Sequence, residues 1–352
     1  MRPRLIRREK YGAFDNVKIV LISMVIAFAI LSIVFLQANI DPFKGFGQIF
    51  NFAFATNVGL FLTIRRTVPL LLVTLAYIIP AKGGLWNIGG EGQLFMGATF
   101  ATGVAFALPD LSPILLLPLM AIGAMVGGAS WGAIVGYLKG KLNVNEVIAS
   151  LLLNYVAIVL VKYLTWGGPW GDPKGQAESG PISVNAMLPK IGNTGIPPTI
   201  FFALGFAIII YFILKKTSLG YQIELYGHNP KAANYVGVSF LKISLATMII
   251  AGAMAGFAGF HQLSSDTARL RADISPGWGY YGIVFALFAN LNVLAAIIVS
   301  FFLTGFIVGN TMLQINLGMN FGVEELFIGV IMLCLVGGQL LKRYRISFKK
   351  IG

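Results

Sequence analysis

Between Asp273 and Glu324 the chain runs for 50 residues, Ile274–Val323, without one charged side chain. As a single helix that run would extend about 75 Å, more than twice the roughly 30 Å hydrocarbon core of a bilayer. It must therefore turn, and Asn290-Leu291-Asn292 is the polar break where the reversal belongs. Similar runs recur along the chain. Of 352 residues, 57% are hydrophobic and 11% are charged, against roughly 25% charged in soluble domains. At about 20 residues per span, the apolar material suffices for roughly ten helices and leaves nothing for a soluble core. A cytoplasmic enzyme, a disulfide-stapled secreted domain and a disordered tail are excluded. The single cysteine, Cys334, allows no internal disulfide and no multi-cysteine metal site. The expected fold is an all-α polytopic membrane protein.

Gaps between charges place ten crossings, at 19–40, 67–81, 90–108, 113–137, 146–164, 199–215, 242–262, 279–290, 293–312 and 326–341. The first follows a basic segment, yet its apolar length exceeds the roughly 7–15 residues of a signal-peptide core, and no small-x-small site follows. It reads as a retained anchor. Basic residues cluster at both termini, at Lys139/Lys141 and across Lys215–Lys242. An even number of crossings puts all of these clusters in the cytoplasm, as the positive-inside rule requires. The net charge of +13 is thereby explained without nucleic acid, which would call for a basic stripe interleaved with aromatics. Arg65-Arg66 is the exception, falling outside. Either 46–64 is an amphipathic helix on the outer surface, or it spans and 67–90 is re-entrant; Gln48, Asn51, Asn57 and Gly59 favour the surface. The polar stretch 166–198 is the largest external loop, and neither side has room for a soluble catalytic domain.

Two glycine-rich segments interrupt the apolar pattern. Gly83-Gly84-Leu85-Trp86-Asn87-Ile88-Gly89-Gly90-Glu91-Gly92-Gln93 lies between two apolar runs, and backbone freed there must face protein or a water-filled path, because lipid cannot satisfy it. Asn87, Glu91 and Gln93, with Asn154 on the 146–164 helix, are the candidate lining of a substrate path. The alternative is that Glu91 sits in the first turn of its own helix, where the dipole favours it. On the path reading Glu91 serves as an acceptor more than as a counter-ion, so glutamine would keep shape and acceptor and lose only charge. On the dipole reading glutamine would lower stability. Ser275-Pro276-Gly277-Trp278-Gly279-Tyr280-Tyr281-Gly282 opens a second short span, and paired interrupted segments in two halves suggest inverted repeats around a transport site. A Gly-rich turn before an ordinary helix would look the same.

Rows of small residues, Gly123/Gly127, Gly128/Gly132/Gly136, Gly252/Gly256 and Gly305/Gly309, are expected to let helices pack closely. Gly128-Ala129-Ser130-Trp131-Gly132 matches the G-x-S-x-G hydrolase pattern, but it lies within an apolar helix rather than at a strand–turn–helix elbow. His228 and His261 fall on opposite sides of the membrane, His261 ending its helix near the outer interface. No P-loop occurs, so the chain does not cradle ATP phosphates by that motif. In the segment 216–241, Asn229-Pro230 starts a helix that Gly237 ends. Two turns are not stable alone, and Ala232 and Ala233 are small enough for close docking in a partner's groove. A plain solvated connection is the alternative.

The strings GGLWNIGGEGQLFMGA (83–98), GKLNVNEVIASLLLNYVA (140–157), TSLGYQIELYGHNPKAANYVGV (217–238) and GAMAGFAGF (252–260) resemble the permease subunits of ABC importers, in the branch serving nucleosides and simple sugars. The resemblance extends from about Thr67 to Leu341. It implies one permease domain, 1–352, with a vitamin B12-permease-like (type II importer) fold and cytoplasmic tails at 1–18 and 342–352. It also implies a second permease subunit, identical or homologous, an ATP-binding cassette ATPase beneath, and a substrate-binding lipoprotein or protein outside. The segment 216–241 would be the coupling loop, with Gly220, Gly227, Asn229, Pro230, Ala232, Ala233 and Gly237 at the ATPase contact. Two departures stand out. The family pattern R-A-x-G is replaced by Glu224-Leu225-Tyr226-Gly227, and a Gly-Arg/Lys-x-x-Pro turn by Ala289-Asn290-Leu291-Asn292-Val293. No cofactor or metal is implied. The competing class is a secondary active transporter of a small polar solute, which should carry titratable pairs within the membrane beyond Glu91.

Overall fold

A computed structural model describes residues 2–7, 13–317 and 323–349; the expected tails at 1–18 and 342–352 fall partly outside them. The described residues are mostly helical. In chain order come β1 (Arg2–Arg7), α1 (Ala13–Gln37), α2 (Pro42–Phe50), α3 (Asn57–Lys82), α4 (Gly90–Ala107), α5 (Pro113–Leu142), α6 (Glu146–Thr165) and α7 (Thr199–Lys216). Then follow α8 (Ser218–His228), α9 (Pro230–Tyr235), α10 (Phe240–Gln262), α11 (Trp278–Phe288), α12 (Val293–Leu317), α13 (Val323–Arg343) and β2 (Tyr344–Lys349). β1 and β2 pair antiparallel, Arg2 opposite Lys349. Six helices are long and apolar enough to cross a membrane, or up to seven if the pair Leu21–Gln37 and Pro42–Ala55, bent by 113°, is one broken span. The protein is a multi-pass membrane protein.

The chain forms two compact units, residues 1–63 with 305–352, and residues 64–304. In the first, Phe35 packs edge-on against Phe46 and Phe327. In the second, α4, α5 and α10 pack backbone to backbone. A Cβ on Gly128 of α5 would overlap the Gly252 carbonyl of α10, and a Cβ on Gly252 would overlap the Gly128 carbonyl. Gly256 meets the Ala124 carbonyl of α5 in the same way, and Gly97 of α4 meets Gly256. The glycine rows therefore pack, as their spacing implied. With no hydrophobic force between helices in lipid, such close van der Waals contact is what holds them.

The stretch 46–64 is not one helix, which corrects both sequence readings of it. α2 runs on as a wider turn through Asn51–Ala55, Thr56 is extended (φ −91°, ψ 142°), and 57–64 are the first turns of α3. Arg65-Arg66 therefore lie within a helix that reading by charge gaps had cut. Arg65 is accommodated by an ion pair with Asp266 and by donating to the Ser265 carbonyl at 2.7 Å. Pro69, inside α3, cannot donate to the Arg65 carbonyl four residues back. His261 of α10 sets its Nδ1 2.7 Å from the Thr199 hydroxyl of α7. It is fully buried one residue before the end of α10. Ser130 sits mid-helix, donating to the Gly127 carbonyl, which removes the hydrolase reading.

The reversal at 290–292 is where the sequence put it. Asn290 and Leu291 adopt left-handed φ of 53° and 55°, and the Asn292 side chain accepts from the Leu294 and Ala295 amides to start α12. α11, however, has 11 residues, about 16 Å, roughly half a hydrocarbon core. It does not cross alone, contrary to the 279–290 span. The loop 166–198 is held down by Arg269, which pairs with Asp172 and Glu178 at 3.2 and 3.1 Å.

Candidate functional site

α3 ends where Gly83 and Gly84 follow Lys82; the Pro80 carbonyl accepts from the Gly83 and Leu85 amides, and Gly84 takes φ +76°. The chain then turns through Asn87 into α4. Asn87 Oδ1 accepts from the Gly89 amide at 3.1 Å, so a side chain shapes the turn. Asn87 and Gln93 form a reciprocal amide pair, each donating to the other at 3.1 Å. Asn154 reaches in from α6: its Oδ1 accepts from the Gly92 amide at 2.8 Å, while Nδ2 donates to the Ile88 carbonyl at 2.9 Å and to the Tyr280 hydroxyl at 3.2 Å. Ser150, which the sequence reading missed, accepts from the Ile88 amide.

Glu91 joins the two interrupted segments. Its carboxyl oxygens accept from the Gly277 amide at 3.2 Å and the Gly279 amide at 2.7 Å. Glu91 thus caps α11 from a neighbouring helix while lying in the first turn of α4. The positive ends of both helix dipoles converge on one carboxyl group. A Cβ on Gly279 would overlap the Glu91 amide, so only glycine allows this approach. Asn87, Glu91, Gln93 and Asn154 are all buried and bonded to one another or to backbone. The residues proposed for the path are brought together, with their hydrogen-bonding groups turned inward. Because both Glu91 oxygens accept, glutamine is not the neutral replacement the sequence suggested.

The segment 216–241 forms α8 and α9. The Thr217 hydroxyl caps α8 at the Gly220 amide, and Asn229 Oδ1 caps α9 at the Ala232 amide (3.1 Å), with Pro230 at its first position and Gly237 at φ +80°. The helix start and stop read from sequence are present. The exposed face differs from the one expected: Ala233 is buried within the chain, whereas Tyr235 is 95% and Val236 67% exposed. Glu224, one of the two departures from the resembled pattern, lies between Lys215 and Lys82, so its negative charge has a local reason.

The permease component of branched-chain amino acid transport systems is the family that matches residues 59–336. The chain belongs to this family. The permease is 32% identical to the glucose ABC transporter permease protein TsgB13 of Haloferax volcanii, over 93% of this chain and 88% of that one. It is 29% identical to the guanosine ABC transporter permease protein NupP of Bacillus subtilis, over 94% and 96% of the two chains. Against the nucleoside ABC transporter permease protein NupB of Lactococcus lactis the identity is 29%, over 77% and 78%. No solved structure matches the permease.

Proposed function

We propose that the chain is the membrane subunit of an ABC importer for nucleosides or simple sugars, working with a second permease subunit, a separate ATPase and a substrate-binding protein outside. The observation that carries this reading is the buried junction at Glu91, where a carboxylate in the first turn of α4 caps the start of α11 within the apolar bundle. Interrupted helices of this kind mark transport sites, and the named relatives carry glucose, guanosine and nucleosides. Nucleosides and sugars are neutral and hydroxyl-rich, so a path edged by amides suits them, since Asn and Gln both donate and accept. In this reading Asn87, Glu91, Gln93 and Asn154 line the path when the Asn87–Gln93 pair opens. Inverted repeats and a vitamin B12-permease-like fold over 1–352 belong to the same proposal, with 166–198 outside and both termini in the cytoplasm. The pairing of β1 with β2 supports the termini sharing one side.

Uptake of labelled guanosine, uridine and glucose into proteoliposomes holding the reconstituted transporter tests it. Uptake of at least one should require ATP and the ATPase subunit. Uptake by the chain alone, driven by a proton or sodium gradient, would instead support a secondary transporter. The residues 216–241 are proposed as the ATPase contact, with Gly220, Gly227, Asn229, Pro230 and Gly237 setting the loop and Tyr235–Val236 as its exposed tip. Exposed tyrosines are frequent anchors at interfaces, where truncation costs about 2 kcal/mol or more. Tyr235→Ala should therefore weaken ATPase co-purification by roughly 30-fold in affinity, leaving the chain folded. A variant that co-purifies and transports normally would make the loop a plain connection.

A further inference from the structure

The junction at Glu91 and the loop carrying α9 are not separate features. On one side of α8, Ile223, Glu224 and Gly227 all meet the start of the glycine break. A Cβ on Gly83 would lie 3.5 Å from Ile223 Cγ2, and Ile223 is fully buried. Glu224 Oε1 is 3.8 Å from Lys82 Nζ and 3.2 Å from Lys215 Nζ. A Cβ on Gly227 would overlap the Lys82 carbonyl, and one on Gly84 would come 3.5 Å from the Gly227 Cα. Backbone therefore lies on backbone, with an ion pair beside it.

Only two residues separate Gly84 from Asn87, and Glu91 is four further on. The Pro80 carbonyl, accepting from Gly83 and Leu85, and the Asn87–Gly89 turn leave that short stretch little slack. Packed contacts of this sort transmit displacement because close-packed backbones cannot interpenetrate. A half-buried ion pair of this kind adds little stability, but it ties α8 at Glu224 to the end of α3 at Lys82 and to α7 at Lys215.

We infer that Glu224 is a positioning residue which, with Gly227, clamps α8 to the start of the glycine break, so that movement of α9 by a docked ATPase reaches the Glu91–Gly279 contact. The inference rests on the reading of 216–241 as the ATPase contact and adds the route by which that contact acts. Without the clamp, a docked ATPase would move the loop and leave the junction unchanged.

The test uses the complete transporter in proteoliposomes, measuring solute uptake per ATP hydrolysed alongside ATPase co-purification. Glu224→Lys sets three positive charges together and should lower the uptake-to-hydrolysis ratio by roughly 2- to 30-fold, the span seen for mutations along coupled contacts. Co-purification should stay as in the parent. Adding Lys82→Glu to Glu224→Lys restores an opposite-charge pair across the same contact and should recover most of the ratio; Glu224→Gln should fall between. An unchanged ratio in Glu224→Lys, or no recovery in the double variant, overturns the clamp. If Tyr235→Ala detaches the ATPase while Glu224→Lys transports normally, the docking reading stands and the clamp alone fails. If Tyr235→Ala also leaves the ATPase bound and transport intact, the docking reading has failed first.

Discussion

Replacing Gly252 with leucine is expected to leave no assembled permease. At that position the α10 backbone lies against the Gly128 carbonyl of α5, and even a Cβ would come 2.7 Å from the Gly128 carbonyl carbon and 3.0 Å from the Ala129 Cα. Backbone cannot rotate aside as a side chain can. The two helices would have to separate, and α4, which meets α10 through Gly97 and Gly256, would lose its seat with them. Overpacking a core by a few methylenes typically costs about 1–3 kcal/mol. A leucine wedged between two backbones at contact distance exceeds that range, against a total stability of roughly 5–15 kcal/mol. Gly252→Ala already sets a Cβ against the Gly128 carbonyl, so it should cost about 3 kcal/mol or more and lower the melting midpoint in detergent steeply. Size-exclusion profiles of the purified variants check both. A monodisperse, normally melting Gly252→Leu protein would mean that α5 and α10 do not meet as described.

The second large effect is expected at Glu91. Leucine there would strand the Gly277 amide, which is half-buried, and the Gly279 amide, which is buried. Each buried donor left without a partner costs about 1–3 kcal/mol. Glutamine keeps one acceptor but turns its NH2 toward a backbone N–H, so it should recover only part of the loss. The melting midpoint should fall in the order parent, Glu91→Gln, Glu91→Leu, and uptake should follow the same order. If Glu91 served only its own helix dipole, glutamine would cost a few tenths of a kcal/mol to about 1. Glu91→Gln melting with the parent would thus separate the two roles.

Much of this protein was legible in its order of residues. Composition and the uncharged runs determined a membrane-embedded helical bundle, because lipid satisfies no backbone and leaves few alternatives. Asn290-Leu291-Asn292 announced a reversal, and the rows through Gly128 and Gly252 announced close packing. Asn229-Pro230 and Gly237 announced a short helix, since capping and turn chemistry act within four or five residues of their cause. The glycine-rich segments at 83–93 and 275–282 stood out in the same way.

Only the tertiary structure decided what those features meet. Glu91 binds amides up to 188 positions away, and nothing local points its carboxyl to α11 rather than along α4. Reading by charge gaps started α3 only after Arg65-Arg66, because the partners that let Arg65 lie within a helix, Ser265 and Asp266, are 200 positions or more downstream. The alanines of α9 looked like a docking face, yet Ala233 is covered and Tyr235 projects; which side of a two-turn helix is covered depends on α8 and its supports. Periodicity and capping are local, short-range effects. Partner choice, burial and which helix stops halfway depend on contacts between distant segments, and these form only when the chain is folded.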